Sequence, residues 1–135
     1  MKQSYIQKSK PSDHYQTPER VFDILHEQGL NAKHFFDPCP FHSSFDGLEG
    51  SWHKWNYVNP PYSLLEKFIE KAYDEFENKN NFSILLLPVK SDKDWWHDYI
   101  IKPHFNFKII WIRGRLKFKN TNNPSPNPHC LVVMQ

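Results

Sequence analysis

The apolar run from Phe82 to Val89 is the strongest constraint on what this chain can fold into. Such a run reads as a strand buried on both faces, hence one with a central place in a sheet and with cover above and below it. A chain of 135 residues has room for a single hydrophobic core. The cover must therefore come from the short elements on either side of the run. Eleven Phe, six Tyr and five Trp imply a core built from rings as much as from aliphatic side chains, since each buried ring removes roughly 150–250 Å² from water. Four Gly exclude a phosphate loop with several glycines at one place, and eleven Pro argue for rigid loops rather than a smooth helical bundle.

The flanking pattern supplies alternating helices and strands. Thr17-Pro18 predicts a helix start, with Thr as N-cap and Pro at the first helical position. Val21, Phe22 and Leu25 follow on one face, and Gly29 is the stop. His34-Phe35-Phe36 reads as a strand ended by Asp37-Pro38-Cys39-Pro40, and Trp55 to Val58 as a second strand ended by Asn59-Pro60-Pro61-Tyr62. Ser63 and Glu66 form a capping box for a helix that faces inward with Leu65, Phe68, Ile69, Ala72, Tyr73 and Phe76. After the central run, Ser91 caps a helix whose Trp95, Trp96, Tyr99 and Ile100 read as core. Strands at Phe107–Ile112, Leu116–Phe118 and Cys130–Met134 close the chain. The expectation is one compact α/β domain over residues 13–135, a mixed sheet with helices on both faces and antiparallel closing strands, preceded by a flexible basic arm over residues 1–12.

Composition narrows the setting. Two cysteines, Cys39 and Cys130, are too few for a disulfide scaffold. The polar N-terminus has no apolar core of a signal peptide. The longest strongly apolar stretch falls far short of the about 20 residues that span a bilayer. A cytoplasmic protein with no membrane partner is expected. The net charge of +2 permits a polyanionic partner without demanding one. Cys39, His42 and His53 have a metal-like spacing but lack a second matching ligand pair, so no metal site is expected.

In open α/β sheets ligands sit outside the carboxyl ends of the strands, which is where Asp37–Pro40 and Asn59–Tyr62 fall. Two consecutive prolines hold Asn59 extended and remove two backbone donors. The Asn59 side-chain oxygen and the Pro60 carbonyl can then accept both hydrogens of one planar amino group. That localises the nitrogen lone pair and makes the amine a nucleophile. Tyr62 offers a ring for stacking, worth about 1–3 kcal/mol per base, and the arrangement suits an extruded base. On residue types alone, the tetrapeptide is equally well a stiff strand-to-helix turn.

Asn59–Tyr62 after an apolar strand resembles the catalytic motif of S-adenosylmethionine-dependent amino-methyltransferases. With Tyr15–Pro18, Phe36–Cys39, Asp46–Leu48, Trp52, Leu85–Pro88, Asp94–His97, Arg113–Phe118 and Leu131–Val133 in order, about residues 13–134 are similar to the phage-type (Dam-like) DNA N6-adenine methyltransferases. The resemblance implies a Rossmann-like methyltransferase domain that moves the methyl group of S-adenosylmethionine to adenine N6 in DNA, in a bacterial or phage-infected cell. It implies that Asn59, Pro60, Pro61 and Tyr62 hold the target adenine. Tyr15, Thr17, Pro18, Asp37, Pro38, Cys39 and Asp46 would serve the cofactor, although Asp46-Gly47 is also an ordinary turn. Many methyltransferases carry a Gly-rich loop where Asp37–Pro40 stands here.

Arg113, Arg115, Lys117 and Lys119 share one side of an extended chain and, with Ser125 in the Pro-stiffened loop that follows, are the candidate DNA contacts. A solvated, charge-protected edge is the plain alternative. Only 18 residues, 41–58, separate the two motifs, which leaves no space there for a target-recognition domain. A homodimer is one way for so short a chain to widen its footprint. Cytosine N4, ribosomal-RNA guanine N2 and protein glutamine are alternative amine acceptors, and a non-catalytic nucleic-acid-binding module is the alternative outside enzymes.

Overall fold

The computed structural model describes residues 14–41, 43–103 and 107–135. The arm assigned to residues 1–12, together with His42 and His104, lies outside them. Four strands form one mixed sheet: β1 (Trp55–Val58), β2 (Phe82–Pro88), β3 (Lys108–Trp111) and β4 (His129–Met134), in the order β1-β2-β4-β3. β1 and β2 are parallel, and β4 runs antiparallel to both β2 and β3. The run that opened the sequence argument is β2, an inner strand buried from Ser83 to Pro88.

Side chains alternate across the sheet with the period of two that pleating imposes. Val58, Leu85, Leu87, Cys130, Val132 and Met134 face helix α2 (Leu65–Lys79) and the π-helical segment Trp96–Ile101. Tyr57, Ile84, Leu86, Leu131 and Val133 face helix α1 (Glu19–Glu27). Helices on both faces are thus as expected, and Trp95 and Trp96 are core. Both cysteines are buried and free.

Four local expectations are corrected. No strand forms at His34–Phe36: Ala32–His34 is a 3₁₀ turn, and Phe36 makes a single parallel bridge to Asn56. In that bridge Phe36 N–H donates to Trp55 O and Tyr57 N–H to Phe36 O. The next rung requires an N–H from residue 38, which is a proline, so the ladder stops after one pair. Thr17 does not cap α1, whose N-cap is Pro18 without a side-chain bond, because the Thr17 hydroxyl is engaged elsewhere. Neither Ser63 nor Ser91 caps a helix: Ser63 sits inside a 3₁₀ turn, Tyr62–Leu64, and the N-cap positions are Leu64 and Trp95. Leu116 and Phe118 are buried but lie outside the sheet.

Gly29 does end α1, with φ +80°, while Leu30 N–H reaches Leu25 O and Gly29 N–H reaches His26 O, the paired bonds of a left-handed helix stop. Nothing in the residue pattern marks Glu75, which is fully buried on α2. Burial works to raise its pKa, but Lys79 at 3.0 Å, the Trp52 N–H, Lys71 and Asn81 together hold it below the usual range. This anchors the loop before β1 to α2. The same loop presses on Asp37–Pro40: a Cβ at Gly47 would lie 1.6 Å from the Pro38 carbonyl oxygen, while Trp52 Nε1 donates to Gly47 O at 2.8 Å. Gly47→Ala must therefore displace backbone. It is expected to lower stability by about 1–3 kcal/mol, seen as a lower urea midpoint at unchanged slope.

Candidate active site

The sheet brings three chemistry-bearing positions to one end. Asp37 follows the Phe36 bridge, Asn59 follows β1, and His129 opens β4 opposite Pro88 at the end of β2. Asn59 is buried, with Pro60 and Pro61 behind it. Its Nδ2 donates to the Tyr15 carbonyl at 2.5 Å and to Thr17 Oγ1 at 3.0 Å. A backbone carbonyl can only accept, so the Tyr15 contact fixes which end of the amide is the NH₂. The oxygen Oδ1 is left as the acceptor on the other side. Thr17 Oγ1 also bonds the Tyr57 hydroxyl at 2.9 Å, which accounts for its absence from the helix cap. Tyr57 is buried under α1, and burial holds its phenol far above the ordinary range, hence neutral.

The segment carrying Tyr15 and Thr17 is held on its other flank by Asn120. That side chain accepts from Gln16 N–H at 2.8 Å and donates to His14 O at 3.0 Å, while Lys119 N–H donates to Gln16 O at 3.1 Å. Residues 14–17 therefore run like an added strand between the end of β1 and the 118–121 loop. Neither Tyr57 nor Asn120 was singled out in the sequence. Tyr57 reads there as one more core ring, and an Asn in a Pro/Asn-rich loop carries no periodic signal.

Two cavities flank Tyr15. The smaller, about 210 Å³, is lined by Tyr15, Thr17, Asp37, Cys39, Tyr57 and Asn59, among others. The larger, about 420 Å³, is lined by Tyr15, Tyr62, Phe118, Ser125 and Asn127, among others. Asp37 Oδ1 accepts from Cys39 N–H at 2.9 Å. Burial nonetheless pushes the Asp37 carboxyl up to about 6. The Cys39 thiol donates to the Asn59 carbonyl at 3.4 Å and is driven well above its ordinary range by burial, so it is a packing group rather than a nucleophile.

Tyr62 lines the larger cavity and stands 5.2 Å, centre to centre, from the Tyr15 ring. Its hydroxyl lies 2.8 Å from His129 Nε2, and burial raises it to about 12. Asp46 is outside both cavities and accepts from Leu48 N–H at 3.0 Å, as an Asp-Gly turn would have it. Pro18 and Pro38 support the smaller cavity's walls through the chain rather than lining it. The His53 ring stacks on Phe36 at 4.1 Å.

Arg113, Arg115, Lys117 and Lys119 are all exposed, while Leu116 and Phe118 between them are buried, so the alternation survives without a strand. The Arg115 guanidinium donates to the Pro126 carbonyl. Lys119 reaches Glu19 at 3.0 Å and, with Lys33, holds that carboxyl below its usual range. Ser125 lines the larger cavity.

A mixed α/β sheet with a half-buried carboxylate just after the Phe36 bridge and an oriented Asn just after β1 defines an α/β protein whose site takes the usual ligand position of such sheets. The chain belongs to the DNA N6-adenine methyltransferase family: the family model described as DNA N-6-adenine-methyltransferase (Dam) matches residues 3–134. Comparison with curated proteins and with solved structures gave no match.

The electrostatics of Asp37 are testable in the protein alone. The folded pKa of about 6 lies above the ordinary 3.8, so the native state binds more protons than the unfolded one between these values, and stability rises as pH falls through that window. Above pH 6 the half-buried charge is a cost. Asp37→Asn should therefore be more stable than the parent at pH 8, by up to about 3 kcal/mol for a shift of that size. The advantage should vanish by pH 3.5 in urea titrations.

Proposed function

We propose that this protein transfers the methyl group of S-adenosylmethionine to the N6 amine of adenine in DNA, using the two cavities beside Tyr15. The observation that carries the reading is the orientation of Asn59. Both hydrogens of its NH₂ are held by Tyr15 O and Thr17 Oγ1, so Oδ1 is the end available to an incoming amine.

The acceptor side follows from the residues. Asn59 Oδ1 and the Pro60 carbonyl accept the two N–H bonds of a planar exocyclic amine, which raises electron density on its nitrogen. Tyr62 presents its ring to the base, and the larger cavity, with its aromatic wall and its Ser and Asn loop, suits a flat heterocycle taken out of the stack. Holding the amine at a fixed place and angle is the main catalytic contribution of such a site.

The donor set of the smaller cavity fits the cofactor. It offers a carboxylate whose hydrogen-bond donor among the described residues is only the Cys39 N–H, beside a hydroxyl and backbone carbonyls. That is an acceptor-rich place for an ammonium group, and the cofactor's amino-acid end carries one. Asp37 would hold that end, with Thr17 and Tyr15 beside it. When bound, the cofactor supplies an electrophilic methyl group on sulfonium. DNA would be met by Arg113, Arg115 and Lys117, and binding by such groups weakens with salt. No helix among the described residues is long and apolar enough to cross a membrane.

Transfer of label from S-adenosylmethionine to DNA, RNA and protein fractions, with product analysis, tests the reading. N6-methyladenine from DNA is expected, with a loss of about 100-fold or more in Asn59→Ala. Label in cytosine, RNA or glutamine would replace the acceptor, and absence of transfer by folded protein would overturn the reading.

Cofactor affinity measured by calorimetry should also follow Asp37. A carboxylate that must ionise to bind loses affinity by up to tenfold per pH unit below about 6. Asp37→Asn should bind about tenfold more weakly at pH 8 and show no such slope.

A further inference from the structure

His129, which the sequence did not single out, occupies a place that ties β4 to the aromatic wall of the larger cavity. It is 2 % exposed. Its ring lies 6.4 Å from Tyr62, nearly parallel at 19°, and meets Phe118 edge-on at 5.3 Å. Its two nitrogens have different partners. Nδ1 is 3.1 Å from the Asn127 carbonyl, which can only accept, so Nδ1 carries the proton. Nε2 is then a lone pair, and the Tyr62 hydroxyl at 2.8 Å donates to it.

Ser125 lines the same cavity as Tyr62, and its Oγ accepts from Asn127 N–H at 3.2 Å. The bonds therefore run in one line from the Tyr62 hydroxyl through His129 to the Asn127 carbonyl. Each group donates to the next, an arrangement in which neighbouring bonds polarise and strengthen one another. Its ends are fixed to the sheet: Val89 N–H donates to Pro128 O at 2.9 Å, and Lys90 Nζ to Asn127 Oδ1 at 2.9 Å. Burial lowers the His129 pKa to about 4, so the ring stays neutral and Nε2 stays an acceptor around neutral pH.

A tyrosine tethered only through its backbone can swing about two side-chain torsions. Tying the phenol oxygen to the His129 acceptor restricts that freedom before a base arrives. The ordering cost is then met within the free protein instead of on binding. We propose that His129 is a positioning residue: by accepting the Tyr62 hydroxyl proton it fixes the plane of the Tyr62 ring against which the target base lies. This rests on the proposed methyl transfer to a base in DNA. It assigns His129 no contact with the reacting atoms.

The test compares kcat and the KM for DNA in the full chain for the parent, Tyr62→Phe, His129→Leu, His129→Gln and the Tyr62→Phe/His129→Leu double variant. Tyr62→Phe keeps the ring and removes only the tethered oxygen. It and His129→Leu should each lower kcat about tenfold, with KM within about twofold. The double variant should be no worse than either single one, because the two changes break the same bond. His129→Gln, which retains an acceptor, should recover most of the rate. ¹⁵N spectra of the parent should show His129 with a protonated Nδ1 and a bare Nε2, and the Nε2 resonance should move in Tyr62→Phe.

Additive losses in the double variant, a Tyr62→Phe enzyme at the parent's kcat, or a protonated Nε2 would overturn the proposal while leaving the methyl-transfer reading intact. A parent that transfers no methyl to any nucleic acid would overturn both. Should His129→Leu not fold, Tyr62→Phe and the nitrogen spectra still decide.

Discussion

One amide nitrogen ties the start of the described chain to the end of β1. Asn59 Nδ2 reaches back more than 40 positions to the Tyr15 carbonyl and the Thr17 hydroxyl, and the arrangement of the site depends on those two contacts. They orient Asn59 itself, they turn residues 14–17 into a strand-like rim, and they stand Tyr15 between two cavities. Asn120 grips the same four residues from the opposite flank by imitating a backbone amide, accepting at one peptide and donating at another. A segment with no regular secondary structure is thereby held almost as firmly as a sheet strand.

Proline supplies the second constraint. Pro38, Pro40, Pro60 and Pro61 cluster where two parallel segments leave the sheet, and each withholds a donor. The rim is consequently rich in carbonyls and side-chain oxygens, to which Asp37 adds a carboxyl whose ionisation burial shifts up to about 6. An acceptor-rich rim around a reluctant acid favours ligands that bring hydrogens and positive charge. The same end of the sheet keeps a neutral histidine on the far side of Tyr15, so the acidic character is confined to one cavity.

Most of the framework was legible in the residues. The Phe82–Val89 run placed β2 in the interior, Trp55–Val58 matched β1 residue for residue, and the helical faces of α1 and α2 followed from apolar spacing. The errors were local, and the three that concern helix caps had a common cause. Thr17, Ser63 and Ser91 all looked like helix caps, because capping rules weigh only neighbours in sequence. The Thr17 hydroxyl was claimed instead by Tyr57 and Asn59, forty positions away, and a turn of 3₁₀ geometry moved the start of α2 past Ser63. The end of β1 at Asn59–Tyr62 could be read because two consecutive prolines stop a strand through local geometry alone. His129, Asn120 and Glu75 could not, since each acts through partners that only the fold brings near.

The single rung at Phe36 also shapes the sheet as a surface. Exposed sheet margins invite other strands, and proteins commonly blunt them with charge, bulges or proline. Here the proline that halts the ladder after Asn56 lies beside the candidate site, so a residue that shapes the rim of that site also makes the margin a poor template for another backbone. The opposite margin carries charge instead: β3 opens on an exposed Lys108 and ends in an exposed Trp111. The sheet's two borders are therefore guarded by different means, proline beside the candidate site and charge at the start of β3.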